Sequence, residues 1–227
     1  MSKRSKGVKL LGGLFAGGVV LGGVAYALKL RPWLLHWGAT EEEVGRALPG
    51  DDLVPAPKLA CTQAITIEAP PAAVWPWLVQ WGYERGGFYS YDWIDRLVGA
   101  AGVVSAERIL PEFQHLEVGD MLPVMPEGGF TVVHIEPEQA LVLRWRLDMS
   151  NGEGVPFDAP LPERFIDGSW VWYLEPSGAG ATRMLSRFHI DWNPSPENAL
   201  YFYAFLEPGS CFMDRGMLLG LKRRAER

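Results

Sequence analysis

The chain has 227 residues, with 21 Lys and Arg against 27 Asp and Glu, a net charge of −6 and a pI near 5.3. Basic residues are scattered until Lys222-Arg223-Arg224, so the electrostatic footprint that nucleic-acid binding requires is missing, and that class of partner is excluded. Export would make a disulfide between the two cysteines, Cys61 and Cys211, chemically possible, but nothing in their spacing argues for it, and buried free thiols are the expectation.

In chain order, the first feature is a run of 19 residues without charge between Lys9 and Lys29. As a helix it covers roughly 28 Å, close to the ~30 Å hydrocarbon layer of a bilayer. Lys3, Arg4, Lys6 and Lys9 precede it and only Lys29 and Arg31 follow closely. The positive-inside bias therefore predicts a single-pass membrane helix over residues 10–28, with the rest of the chain outside the cytoplasm. The alternative is a signal peptide cleaved after Ala25-Tyr26-Ala27 and a secreted product. The expected organisation is an anchor and aromatic flank over 1–37, an acidic, Pro- and Gly-punctuated linker over 38–60, and one domain over 61–227.

Alternation predicts a strand over Thr62–Ile67. Pro71 then opens a helix over Ala72–Trp81 with Val74, Trp77, Leu78 and Trp81 on one face, and a second short helix is expected over Tyr91–Val98. Strands follow over Met121–Val124, Phe130–Glu136, Ala140–Leu147, Ser169–Glu175 and Thr182–Trp192. In the last of these, Met184, Ser186, Phe188, Ile190 and Trp192 share the inward face, and Arg183, Leu185, Arg187, His189 and Asp191 the watered one. Arg144 and Arg146 are likewise read as solvated. Pro208 is expected to split the helical tail, leaving a buried helix from about Gly209 to Arg227.

This order of elements is that of the α+β helix-grip fold, a curved antiparallel sheet wrapped around a long C-terminal helix, here preceded by one transmembrane helix. The motifs Ile67-Glu68-Ala69-Pro70-Pro71, Val74-Trp75-Pro76-Trp77-Leu78, GGFYSYDW at 86–93, Gln114-His115-Leu116, Val118-Gly119-Asp120 and the closing Met213…Met217-Leu218-Leu219-Gly220-Leu221-Lys222 resemble the SRPBCC (START-like, polyketide cyclase/dehydrase-like) superfamily. The resemblance implies a cavity between sheet and last helix, used across that superfamily for lipid transfer, hormone binding, cyclisation and hydroxylation; fold does not choose among these. It carries no catalytic residue over; the aromatic-hydroxylase branch uses an iron triad of two His and one carboxylate, a cluster this sequence does not offer, so no cofactor is expected.

The expected ligand-binding residues are Phe88, Tyr89, Tyr91 and Trp93 at the mouth, with Trp170, Trp172, Met184, Phe188, Met213 and Met217 lining an apolar chamber. The loop aromatics have a competing reading as anchors of the loop, with Asp92 capping a helix. His36, His115, His134 and His189 do not converge in the pattern, so no metal site is expected. The favoured function is a membrane-tethered module binding an apolar small molecule or lipid. Acid–base catalysis through Tyr89, Tyr91, Asp92 or Glu107 is the alternative, and a structural partner-binding role in the envelope is a third.

Overall fold

A computed structural model of the chain describes residues 26–97 and 104–227. The expected membrane segment over 10–28 lies outside these residues except for its last three. Among the described residues no helix is long and apolar enough to cross a membrane.

Six strands form one antiparallel sheet in the order β1-β6-β5-β4-β3-β2: β1 Leu59–Ile67, β2 Met121–Met125, β3 Gly128–Glu136, β4 Ala140–Asp148, β5 Phe165–Ser177 and β6 Ala181–Trp192. The period-two pattern sets the register. Cys61, Gln63 and Ile65 face Phe188, Ser186 and Met184 across the β1–β6 ladder, while Trp170 and Trp172 pair with Phe188 and Ser186 on one side and with Leu143 and Leu141 on the other. These residues share the inner face because a side chain directly opposite another lies on the same side of the pleat. The C-terminal helix, Glu207–Ala225, covers that face with buried Cys211, Asp214, Met217, Leu218 and Leu221. The architecture is thus α+β with a six-stranded antiparallel sheet gripping a long last helix.

Pro208 does not split the tail. Helix Pro196–Tyr201 runs through a π-helical turn, Phe202–Leu206, straight into the last helix, whose first turn contains Pro208. The ring stands directly after the π-helical turn, where the Glu207 N–H reaches back five residues to the Phe202 carbonyl, and the chain stays helical through it.

The outer face is not solvated, because residues 38–58 lie across it. Leu48 packs with Ala64, Val142, Val171 and Leu185. Arg187, expected in water, is 4% exposed and uses all five guanidinium N–H groups. They go to Thr62 Oγ1 (2.9 Å), the carbonyls of Glu43, Val44 and Arg46 (2.6, 3.0 and 2.8 Å) and Asp51 Oδ2 (2.7 Å). Arg183 forms a bidentate pair with Glu43 (2.7 and 2.8 Å), which holds that carboxyl down at about 2. Arg144 and Arg146 both reach Asp167, at 3.5 and 2.9 Å, and are largely covered rather than solvated. The stretch composed like a linker is therefore the cover of the sheet.

The aromatic flank also belongs to the domain. Helix Arg31–Leu35 buries Leu34 and Leu35 beside Leu59, Cys61, Phe188 and Cys211. Gln63 Nε2 donates to the carbonyls of Leu34 (2.7 Å) and Cys211 (3.0 Å), and Arg31 makes a bidentate pair with buried Glu207 at 2.6 and 2.8 Å.

Candidate functional site: an aromatic cleft on the inner face

Trp81, two residues past the helix Pro71–Val79, is buried and lies at the centre of an aromatic cluster. Phe88 tilts against it at 5.1 Å between ring centroids, Phe130 stacks at 6.3 Å, and Trp170 and Trp172 meet it edge-on at 5.5 and 5.2 Å. Trp145 joins through Phe130 at 4.4 Å, and Phe188 through Trp170 at 6.5 Å. A Cβ at Gly168 would collide with the Trp145 indole, so the glycine opposite it in register leaves room for that ring to lie across β5.

The inner face divides into a closed half and an open half. Trp172 and Met184 have no exposed surface, Met217 has 2%, and Leu141, Leu143 and Leu174 are equally sealed. Side chains fill the space between Met184 and Met217, where a chamber was expected. Phe88, Phe130, Trp145 and Trp170 are only partly buried although they pack on the main core. The cleft is therefore displaced from the sheet–helix centre toward β3, β4 and β5.

The GGFYSYDW loop divides in role. Tyr89 adopts a left-handed backbone (φ 57°) and is 1% exposed. Its hydroxyl accepts from Gln80 Nε2 at 2.9 Å, its N–H donates to Ser105 Oγ at 2.9 Å, Trp77 packs edge-on, and the Arg224 guanidinium lies 5.0 Å over the ring. Burial pushes its phenol well above the usual range. Tyr89 is thus a core anchor and not a mouth residue. Tyr91 stacks on Phe212 at 4.7 Å, Met213 is half-buried on the last helix, and Trp93 is 63% exposed, outside the cleft. Of the ten expected site residues, Phe88, Trp170, Trp172 and Phe188 meet around Trp81, while Met184 and Met217 lie in closed core.

The groups considered for acid–base chemistry do not converge. Asp92 accepts from Ser105 Oγ at 2.7 Å, and Glu107 is exposed and paired with Arg224 at 2.6 Å and with Arg227. Asp95 accepts from Ser90 at 3.1 Å, and burial raises it to about 6. The acid nearest the cleft is Asp214, in the apolar half of the last helix. Trp170 Nε1 donates to Ser186 Oγ at 2.8 Å, and Ser186 Oγ donates to Asp214 Oδ1 at 2.8 Å. Burial without a cation raises Asp214 to about 7, with the Ser186 bond opposing the shift. Asp214 Oδ2, Gln63 Oε1 and the indole N–H groups of Trp81 and Trp172 find no partner among the described residues. Strand alternation already placed Ser186 inward, and it sets Trp145 on the face opposite Arg144 and Arg146. Nothing in the pattern singled out Asp214, an acid next to Arg215 in the early half of the last helix.

Cys61 and Cys211 are buried free thiols with their sulfurs 3.1 Å apart. Among the described residues, no group of three His, Cys, Asp or Glu side chains could hold a metal ion.

No protein-family model and no curated protein matches the chain. Solved structures that resemble it include the hypothetical protein jhp0584 from Helicobacter pylori, 12% identical over 79% of this chain and 95% of that one, with a TM-score of 0.47. A conserved protein from Geobacillus kaustophilus is 14% identical over 74% and 95%, with a TM-score of 0.40. The Zhui aromatase/cyclase from Streptomyces sp. R1128 is 14% identical over 74% and 94%, with a TM-score of 0.33. At such distances no activity passes from these proteins to this chain.

Proposed function

We propose that this chain is a membrane-tethered module of the START-like superfamily that binds an apolar small molecule, of the lipid or isoprenoid kind, in the aromatic cleft. The carrying observation is the set of partly uncovered aromatic side chains, Phe88, Phe130, Trp145 and Trp170, grouped around buried Trp81 beside a closed core. Large rings left uncovered beside a closed core are surface that an apolar ligand would remove from water. The uncharged run over 10–28 supports the tether, and the heavier basic flank before it supports a domain outside the cytoplasm.

The test is native mass spectrometry of the full chain in detergent, joined to titration with an apolar fluorescent probe. A co-purifying apolar mass, or probe binding that Trp145→Ala and Phe130→Ala weaken without unfolding the protein, is the expected result. A bare mass with no probe binding overturns the binding reading. Reporter fusions at the C-terminus test the orientation, and strong activity of a cytoplasm-only reporter would reverse it.

Acid–base catalysis is the second reading, favoured by one observation: Asp214 stands two hydrogen bonds from the cleft, through Ser186 and Trp170, with a raised pKa. Asp214→Asn would then abolish turnover of a bound ligand while leaving its affinity intact, whereas a pure binding module loses nothing.

A further inference from the structure

Residues 199–206 read Ala-Leu-Tyr-Phe-Tyr-Ala-Phe-Leu, a helical stretch with no charge and no polar group beyond two phenols. Only Phe202 is fully buried, stacked on Trp192 at 4.0 Å. Leu200, Tyr201 and Phe205 are exposed, as is much of Tyr203, which meets Trp192 edge-on at 5.5 Å. The segment that follows the uncharged run adds exposed Leu30 and Trp33, the latter 5.9 Å from the Arg215 guanidinium, and these six side chains are 40 to 67% exposed. Arg31 joins the two segments into one surface: its guanidinium pairs with Glu207 and lies 5.7 Å over the Tyr203 ring. A shallow pocket lined by Lys58, Trp192 and Tyr203 adjoins it. A helix apolar on both faces needs an apolar partner on the second one.

We propose that this face, the helix Pro196–Tyr201 and turn Phe202–Leu206 together with Leu30 and Trp33, docks against the lipid bilayer and holds the domain down on the membrane surface. The proposal rests on the tether reading. The 25 residues outside the structure on this side contain most of the uncharged run, and the chain resumes at Tyr26–Leu30 beside the face itself. Trp33 follows Leu28 by five residues, about 8 Å along a helix. That is about the depth of the headgroup layer, roughly 5–8 Å on each side of the hydrocarbon. Trp and Tyr mixed with Leu and Phe, next to Lys29, is the composition that partitions at that depth. A tether ending there holds the patch within reach of the acyl boundary, where burial of its rings is favourable.

The full chain is reconstituted in vesicles of phosphatidylcholine and phosphatidylglycerol at 3:1, with p-benzoyl-phenylalanine replacing Phe205 or, as a control on another loop, exposed Leu161. Flotation of the vesicles reads the tether; photo-crosslinking followed by mass analysis reads the patch. The expected result is lipid adducts at position 205 several-fold above those at position 161, in protein that floats with the vesicles. Floating protein without lipid adducts at 205 overturns the docking and leaves the tether standing. Crosslinks from 205 to a second copy, or to residues 1–25 of its own chain, overturn it by naming another occupant. Protein that fails to float removes the tether reading, and the docking falls with it.

Discussion

The Ser186 hydroxyl on β6 donates to Asp214 Oδ1 on the last helix at 2.8 Å, tying the middle of the sheet to the helix that covers it. Among the described residues no cation offsets the buried carboxyl: Ser186 is its hydrogen-bond partner, and the charged form is disfavoured by burial.

That relationship predicts a stability profile. Asp214 rises from 3.8 to about 7 on folding, so between those values the folded state holds a proton that the unfolded state has lost. The contribution is fully present below the unfolded value and is lost as pH rises through the folded one, a change of roughly 4 kcal/mol at full shift. Asp214→Asn should flatten this slope, so that the variant gains on the natural protein from pH 4 to pH 8 in denaturant titrations. Parallel profiles for the two proteins would refute it.

A chain beginning at residue 38 should be far less stable than one that keeps Arg31–Leu35. Deletion uncovers Cys211 and Phe188, removes the Leu34 carbonyl, one of the two that Gln63 uses, and leaves Glu207 without Arg31. Leu34→Ala and Leu35→Ala should each cost about 2–4 kcal/mol, read as a lower midpoint at unchanged slope. Equal midpoints for the two chain lengths would show that the flank is dispensable.

Arg187→Lys should destabilise by about 3–5 kcal/mol despite keeping the charge, because an ammonium has three donors for five acceptors and leaves carbonyls of residues 43–46 unpaired. Hydrogen exchange should localise the loosening to residues 38–58. A change spread evenly over the sheet would contradict the assignment.

Gly220→Ala should cost at least 1–3 kcal/mol. The added methyl would strike the backbone carbonyl of Tyr89, whose left-handed loop is pinned by Gln80 and Ser105 and cannot retreat freely. Thermal unfolding checks this, with Gly119→Ala as a comparison: nothing lies near a Cβ there, and its cost arises from its positive φ alone.

Cys61 and Cys211 should resist a thiol reagent in the folded protein and react together on unfolding, since both are buried and burial raises the Cys61 thiol. Rapid labelling of either under native conditions would show that the β1–helix seam opens locally.

What the sequence determined by itself is local and periodic. Alternation over 182–192 sorted Met184, Ser186 and Phe188 from Arg183 and Arg187, and the apolar early turns of the last helix announced a buried element; both hold, because side-chain direction follows from backbone period alone. The tertiary structure decided what each face meets. Polar residues 38–58 cover the outer face because their backbone carbonyls match Arg187, and carbonyls are the same in every sequence, so composition cannot reveal that use. Tyr89 became an anchor, and not a mouth residue, because Gly216 and Gly220, more than 120 positions away, let the loop approach the helix. The position of the cleft is equally nonlocal. Whether the space between Met184 and Met217 is filled depends on the helix-to-sheet distance, which all contacting side chains set together by close packing, and no single stretch encodes it.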